Sequence, residues 1–116
     1  MNKIPKVVFF DMEGTLIKPS VYRMDGSLSP SVWTLVEERL GAEVKLEAWR
    51  MYKKWHDGGY ASYHQWVDET NKLYQRSGLT RDLFQEILDE LEYFPGVREA
   101  CDQLHKAGCR TAIISG

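Results

Sequence analysis

The sequence predicts an α/β fold in which a parallel sheet forms the core and a helical domain is inserted into it. Two short apolar runs, residues 6–10 and Cys109–Ile114, have the length and composition of strands, and helical patterns fill most of the chain between them. A crossover between parallel strands needs only about a dozen residues or more. The much longer segment here is too well patterned for a loop, so we expect an inserted domain.

The first apolar run consists of β-branched and aromatic side chains and is too short for a helix. It fits a strand that is covered on both faces, as in a parallel sheet. Together with the second run it defines the predicted core, an incomplete sheet made of residues 1–16 and 93–116. Residues 17–92 then form the predicted helical domain.

Start and stop signals divide the helical segment. Ser29 and Pro30 suit the N-cap and first positions of a helix that ends at Gly41. A capping-box pattern at Ser62 and a polar cap at Thr80 predict two further helix starts. The expected helices cover 30–40, 46–56, 63–77, 81–91 and 97–107.

Composition excludes several classes of protein. The chain has 116 residues, 43% hydrophobic and 28% charged, which suits one ordinary folded domain. A net charge of −2 gives no case for binding nucleic acid or an anionic membrane. The apolar runs are too short to span a bilayer, and the N-terminus lacks a secretory signal pattern, so we predict a cytoplasmic location. Cys101 and Cys109 show no disulfide or metal spacing and are expected to be buried or half-buried thiols.

Chemistry is concentrated where the first strand ends. Asp11, Glu13 and Gly14 follow the apolar run directly, and ligands bind open α/β sheets at the carboxyl ends of strands. The alternative is an ordinary turn without a functional site, because Asp and Gly are common turn residues. The second apolar run ends in Ser115 and Gly116, and this pairing of two strand ends favours a site. The three histidines lack the spacing of metal ligands.

The segment Asp11–Leu16 resembles the first motif of the haloacid dehalogenase-like hydrolases, and Ile113–Gly116 resembles their second motif. Phe94–Gly96 is similar to the return from cap to core in that family. The resemblance covers the whole chain and implies a Rossmann-like core with a helical cap, as in the branch that contains phosphoserine phosphatases. It also implies a Mg²⁺-dependent phosphatase that acts on a small phosphorylated metabolite.

The resemblance assigns roles to single residues. Asp11 would be the nucleophile that forms an acyl phosphate and also a Mg²⁺ ligand. Glu13 would protonate the leaving oxygen and later activate water, while its backbone carbonyl would bind the metal. The Ser115 hydroxyl and the Gly116 amide would hold phosphate oxygens. Two of these roles match the general requirements of phosphoryl transfer, which needs a nucleophile and a proton for the leaving group.

Two positions depart from the family pattern. The second acid is usually Asp, whereas this chain has Glu13, whose longer arm must fold back to reach the leaving oxygen. Phosphoserine phosphatases typically carry an acidic residue nine positions after the nucleophile, and Ser20 stands there. Phosphoserine is therefore only the leading candidate substrate. Arg23 and Arg50 in the predicted cap are candidates for reading a carboxylate or phosphate of the substrate.

The family's third-motif lysine and fourth-motif acids would lie beyond Gly116. We therefore expect this chain to be part of a protein roughly twice as long and to be inactive by itself. Two other functions stay open from the sequence: a phosphotransferase on the same scaffold, and a non-catalytic binding module. The four tryptophans are expected mainly to pack the cap helices, with Trp49 or Trp55 as candidates to line a pocket.

Overall fold

The computed structural model describes residues 3–115. It is a mixed α/β structure with a parallel two-stranded sheet and five helices, which confirms the predicted fold class. The elements in chain order are β1 (Val7–Phe10), β2 (Val21–Tyr22), β3 (Leu28–Ser29), α1 (Val32–Leu40), α2 (Ala42–His56), α3 (Tyr63–Arg76), α4 (Arg81–Asp89), α5 (Val97–Lys106) and β4 (Arg110–Ile113).

The chain divides into two compact units. The first unit consists of Met1–Pro19 and Leu91–Gly116 and contains β1, α5 and β4 among its described residues. The second unit, Ser20–Glu90, contains the ribbon β2–β3 and helices α1 to α4.

In the first unit β1 and β4 pair in parallel, with Val7 opposite Arg110 and Phe10 opposite Ile113. Helix α5 packs against β4, and the His105 ring nitrogen Nε2 lies 2.9 Å from the Thr111 hydroxyl. The buried Cys109 thiol donates to the Pro5 carbonyl at 2.8 Å, which ties the start of β4 to the segment before β1.

The expectation that β1 is covered on both faces is wrong. Residues alternate along the strand, so that Val7 and Phe9 are exposed, Phe9 by 61%, while Val8 and Phe10 are half-buried. Successive side chains of a strand point to opposite faces. Helix α5 packs against the neighbouring strand β4, and the described part of the first unit contains no second helix.

The chain leaves and re-enters the first unit through two adjacent segments that pair with each other. The Lys18 amide donates to the Glu92 carbonyl at 2.9 Å, and the Phe94 amide donates to the Leu16 carbonyl at 3.0 Å. These bonds satisfy backbone groups in segments that would otherwise be irregular.

The core of the second unit is formed by apolar side chains from its four helices and the ribbon. Three half-buried tryptophans stack there, with the Trp66 ring 6.2 Å from Trp33 and 5.5 Å from Trp55 between ring centroids. The expected role of the tryptophans in helix packing is thus confirmed for these three. Trp49 stacks on Tyr52 of its own helix instead.

Helix boundaries differ from prediction at α1 and α2. The N-cap of α1 is Ser31, whose hydroxyl accepts the Trp33 amide at 3.2 Å, so the predicted N-cap at Ser29 is wrong. Ser29 instead belongs to β3, where its buried hydroxyl lies 2.9 Å from that of Thr34. Helix α2 starts at Ala42, four residues earlier than predicted, directly after Gly41.

Candidate active site

The structure brings two of the predicted site residues to the same edge of the sheet. The parallel ladder ends with the Ile114 amide donating to the Phe10 carbonyl at 2.8 Å. Asp11 follows β1 directly, and Ser115 follows Ile114 on the neighbouring strand. Both residues therefore lie just beyond the carboxyl ends of adjacent strands, where open α/β sheets bind ligands.

The loop after β1 is a compact turn around one carbonyl oxygen. The Met12 carbonyl accepts the amides of Thr15, Leu16 and Ile17 at 3.3, 2.8 and 3.1 Å. Gly14 has a φ of 78°, a left-handed conformation that residues with a Cβ rarely adopt, so glycine suits this position of the turn. The turn fixes the backbone on both sides of Glu13.

Asp11 presents its carboxylate at the surface. The residue is exposed, and its Oδ1 accepts the Met12 amide at 2.8 Å, which restrains the side chain. Within residues 3–115 this is its only hydrogen bond, so the second carboxylate oxygen is open to a ligand. Glu13 is half-buried, and its backbone forms a bridge with Ile17.

The predicted phosphate-binding residues are described only in part. Ser115 is exposed and has the position stated above. Gly116 lies outside the described residues, so its role as an amide donor stays a prediction.

The donor set at the edge supplies only part of what Mg²⁺ requires. Within residues 3–115 no group of three or more His, Cys, Asp or Glu side chains is arranged to hold a metal. Mg²⁺, however, keeps several waters and is usually bound by one or two carboxylates together with substrate phosphate. The exposed oxygen of Asp11 is a donor of this type, and the site fits Mg²⁺ as part of a ligand set.

The two predicted cap arginines lie in the second unit and have different surroundings. The Arg23 guanidinium donates to the Ser27 hydroxyl at 3.3 Å and to the Leu28 carbonyl at 3.4 Å, and so closes the β2–β3 ribbon. Arg50 has an exposed side chain that lies 3.6 Å from the Glu47 carboxylate. Arg50 is therefore the more available of the two for a ligand.

One titratable pair was missed in the sequence. The Tyr74 hydroxyl of α3 donates to the Glu37 carboxylate of α1 at 2.5 Å. Burial raises the pKa of Glu37 to about 6, against the opposing effects of the Tyr74 hydrogen bond and the Lys45 charge. Burial and the neighbouring Glu37 charge raise the pKa of Tyr74 well above its usual range. Residues 37 and 74 are far apart in sequence, so no local sequence pattern predicts that they form a pair.

The comparisons with known proteins identify the family of the chain. The family model of haloacid dehalogenase-like hydrolases matches residues 5–116, and the chain belongs to this family. A phosphoserine phosphatase from Saccharomyces cerevisiae is 30% identical over 115 residues, which covers 96% of this chain and 31% of the yeast protein. The chain thus spans about a third of the length of that relative. No solved structure matches the chain.

No helix among residues 3–115 combines the length and the apolar character that crossing a bilayer requires.

Proposed function

We propose that the chain carries the nucleophile and the second acid of a phosphomonoester hydrolase that acts on a small phosphorylated metabolite. The observation that supports this most directly is the exposed carboxylate of Asp11 at the carboxyl end of β1, beside the end of the parallel strand β4. Membership of the hydrolase family and similarity to a phosphatase support the class of reaction.

In the proposed reaction an Asp11 carboxylate oxygen attacks phosphorus, and the bond from phosphorus to the leaving alcohol oxygen breaks. Glu13 gives its proton to that oxygen, so that a neutral alcohol leaves. Water then attacks the aspartyl phosphate while Glu13 takes a proton from it. Inorganic phosphate is released, and the Asp11 carboxylate is regenerated.

The remaining groups hold the phosphoryl oxygens. The Ser115 hydroxyl and the Gly116 amide would donate hydrogen bonds to them. Asp11 and the Glu13 carbonyl would hold Mg²⁺, which when bound offsets negative charge on the phosphoryl group. Exposure of Asp11 leaves room for such a ligand set.

Phosphoserine is the leading candidate substrate, since the matching yeast protein is a phosphoserine phosphatase. Ser20 in place of an acidic residue counts against it. For an anionic group of the substrate we favour Arg50 over Arg23, because the Arg23 guanidinium is already engaged in its own ribbon.

We also propose that the 116-residue chain sustains little turnover by itself. It covers only 31% of the yeast phosphatase, and Asp11 and Glu13 are the only acidic side chains in the turn after β1. Within residues 3–115 no group of three or more metal-ligating side chains is arranged to hold an ion, so charge on the transferring phosphoryl group would be poorly offset.

A single-turnover assay tests the proposal, with the chain in excess over each phosphomonoester in a panel that includes phosphoserine and a sugar phosphate. We expect slow alcohol release that needs Mg²⁺ and disappears in Asp11→Asn. The matched control is Asp25→Asn, which removes another exposed aspartate. Release that survives Asp11→Asn would refute the proposal, and rapid multiple turnover by the chain would refute its inactivity.

The same assay distinguishes hydrolysis from transfer. With added glycerol, a hydrolase yields inorganic phosphate, whereas a phosphotransferase yields a glycerol phosphate. We expect inorganic phosphate to dominate at low glycerol concentrations.

A further inference from the structure

A groove lies between α2 and α3 within the second unit, and basic side chains dominate its walls. It is open to solvent and has a volume of about 280 Å³. Four basic and two acidic side chains line it: Arg50, Lys54, Lys72, Arg76, Glu47 and Glu69. We call this feature the basic groove. Its lining carries a charge of about +2, whereas the whole chain carries −2, so positive charge is concentrated there.

The basic residues are regularly spaced. Arg50 and Lys54 are four residues apart on α2, and Lys72 and Arg76 are four apart on α3. Residues at this spacing lie on the same helix face, about 5–6 Å from each other. Each wall of the groove therefore presents two neighbouring cationic groups.

These charges are not neutralised across the groove. Within residues 3–115 no salt bridge joins α2 to α3. Arg50 pairs with Glu47 on its own helix at 3.6 Å, and Lys72 pairs with Asp68 on its own helix at 3.1 Å. Such exposed pairs within a helix are weak and are readily exchanged for a better anion.

The floor of the groove combines buried side chains with a contact that positions a cation. Met51 and Tyr60 are buried there, and the Lys54 ammonium lies 4.3 Å from the centre of the Tyr60 ring. This contact holds one cation at the groove. Burial and the nearby Glu69 charge raise the pKa of Tyr60, so the phenol adds no negative charge to the groove.

We propose that the basic groove binds a small dianion of the phosphate class. A charge of −2 balances the lining, and guanidinium groups pair with phosphate oxygens in a two-point geometry. The inference does not rest on the proposed hydrolysis, because the groove shares no residue with the turn after β1 and has only Arg50 in common with the proposed substrate contacts. It assigns a second role to Arg50 and a first role to Lys54, Lys72 and Arg76.

The test is a titration of the ¹⁵N-labelled chain with inorganic phosphate, followed by NMR at constant ionic strength. We expect saturable shifts of amides in 47–54 and 69–76. Arg76→Gln and Lys72→Gln should each weaken binding by roughly tenfold, since each removes a charge-assisted hydrogen bond. Lys53→Gln and Arg81→Gln remove basic residues outside the groove and should leave the affinity unchanged.

Asp11→Asn separates this inference from the proposed function, since the groove shifts should persist in that variant. Malonate, a dicarboxylate, should bind more weakly than phosphate. The inference is overturned if the groove amides do not shift saturably, if the control variants weaken binding as much, or if shifts occur only around residues 11–15. Should Arg76→Gln fail to fold, Lys72→Gln and Arg76→Lys provide the same comparison.

Discussion

The Glu37 carboxyl group makes the stability of the second unit depend on pH. Its pKa is raised from an ordinary 4.5 to about 6 in the folded chain, mainly by burial. The free energy of unfolding is therefore almost independent of this group below about pH 4.5. It is lower once the carboxylate is charged in both the folded and the unfolded chain. We expect the free energy of unfolding to fall by about 2 kcal/mol between pH 4.5 and pH 7 on this account. Denaturant unfolding at a series of pH values measures it.

Two variants isolate this effect from other titrating groups. Glu37→Gln keeps an acceptor for the Tyr74 hydroxyl and should remove the slope relative to the unchanged chain. Tyr74→Phe removes a hydrogen bond that lowers the pKa of Glu37, so the slope should become steeper. Equal slopes in all three proteins would contradict the assignment.

The contribution of Glu13 to the rate of alcohol release should be larger for a poorer leaving group. If it donates the proton, Glu13→Gln should slow alcohol release from phosphoserine by roughly 100-fold or more, a typical contribution of general acid catalysis. Release of p-nitrophenolate, which leaves without a proton, should change far less. A single-turnover comparison of the two substrates measures the ratio, and equal slowing of both would argue against the role of an acid.

Single residues could be predicted where a local pattern defines them. Asp11 and Gly14 stand at the break between an apolar run and a turn, and both have the expected positions in the structure. The Glu37–Tyr74 pair and the basic groove depend on how helices pack, which one sequence does not reveal.

Among the elements, α3 shows how a cap defines a helix. The Ser62 hydroxyl accepts the Gln65 amide at 3.1 Å, and the Gln65 side chain accepts the Ala61 amide at 2.7 Å. Ser62→Ala should therefore destabilise the chain by about 1 kcal/mol. Ser77→Ala is the matched control, because the Ser77 side chain makes no hydrogen bond within residues 3–115. Thermal unfolding compares the two, and equal losses would contradict the capping role.

Elements with a clear period or cap were predicted well, as α3 and α4 show. The ribbon β2–β3 was missed because two-residue strands carry no periodicity, although the left-handed Gly26 marks its turn. The start of α1 was predicted too early, because several serines and a proline offer alternative caps. Tertiary contacts of Ser29 decide between them.

At the scale of the molecule, the order of strand, helical insertion, helix and strand was predictable from the two apolar runs. That β1 and β4 pair in parallel confirms the predicted parallel sheet. The exposed face of β1 could not be predicted, because an apolar run of this length signals a buried strand whatever lies beside it.

This sheet geometry predicts an asymmetry between neighbouring phenylalanines. Phe10 is half-buried, whereas Phe9 is 61% exposed. Phe10→Ala should lower the free energy of unfolding by about 1–3 kcal/mol, and Phe9→Ala should have a smaller effect. Denaturant unfolding of the two variants provides the comparison. A larger loss for Phe9→Ala would mean that the faces of the sheet are assigned the wrong way round.

The most direct test of the whole account is to trap the phosphorylated nucleophile. Hydride from borohydride reduces an aspartyl phosphate to homoserine, which peptide mass spectrometry locates to a single residue. After incubation with Mg²⁺ and a phosphomonoester, we expect homoserine at position 11, and none there without Mg²⁺ or in Asp11→Asn. Homoserine at another aspartate, or its absence throughout the chain, would contradict the claim that Asp11 accepts the phosphoryl group.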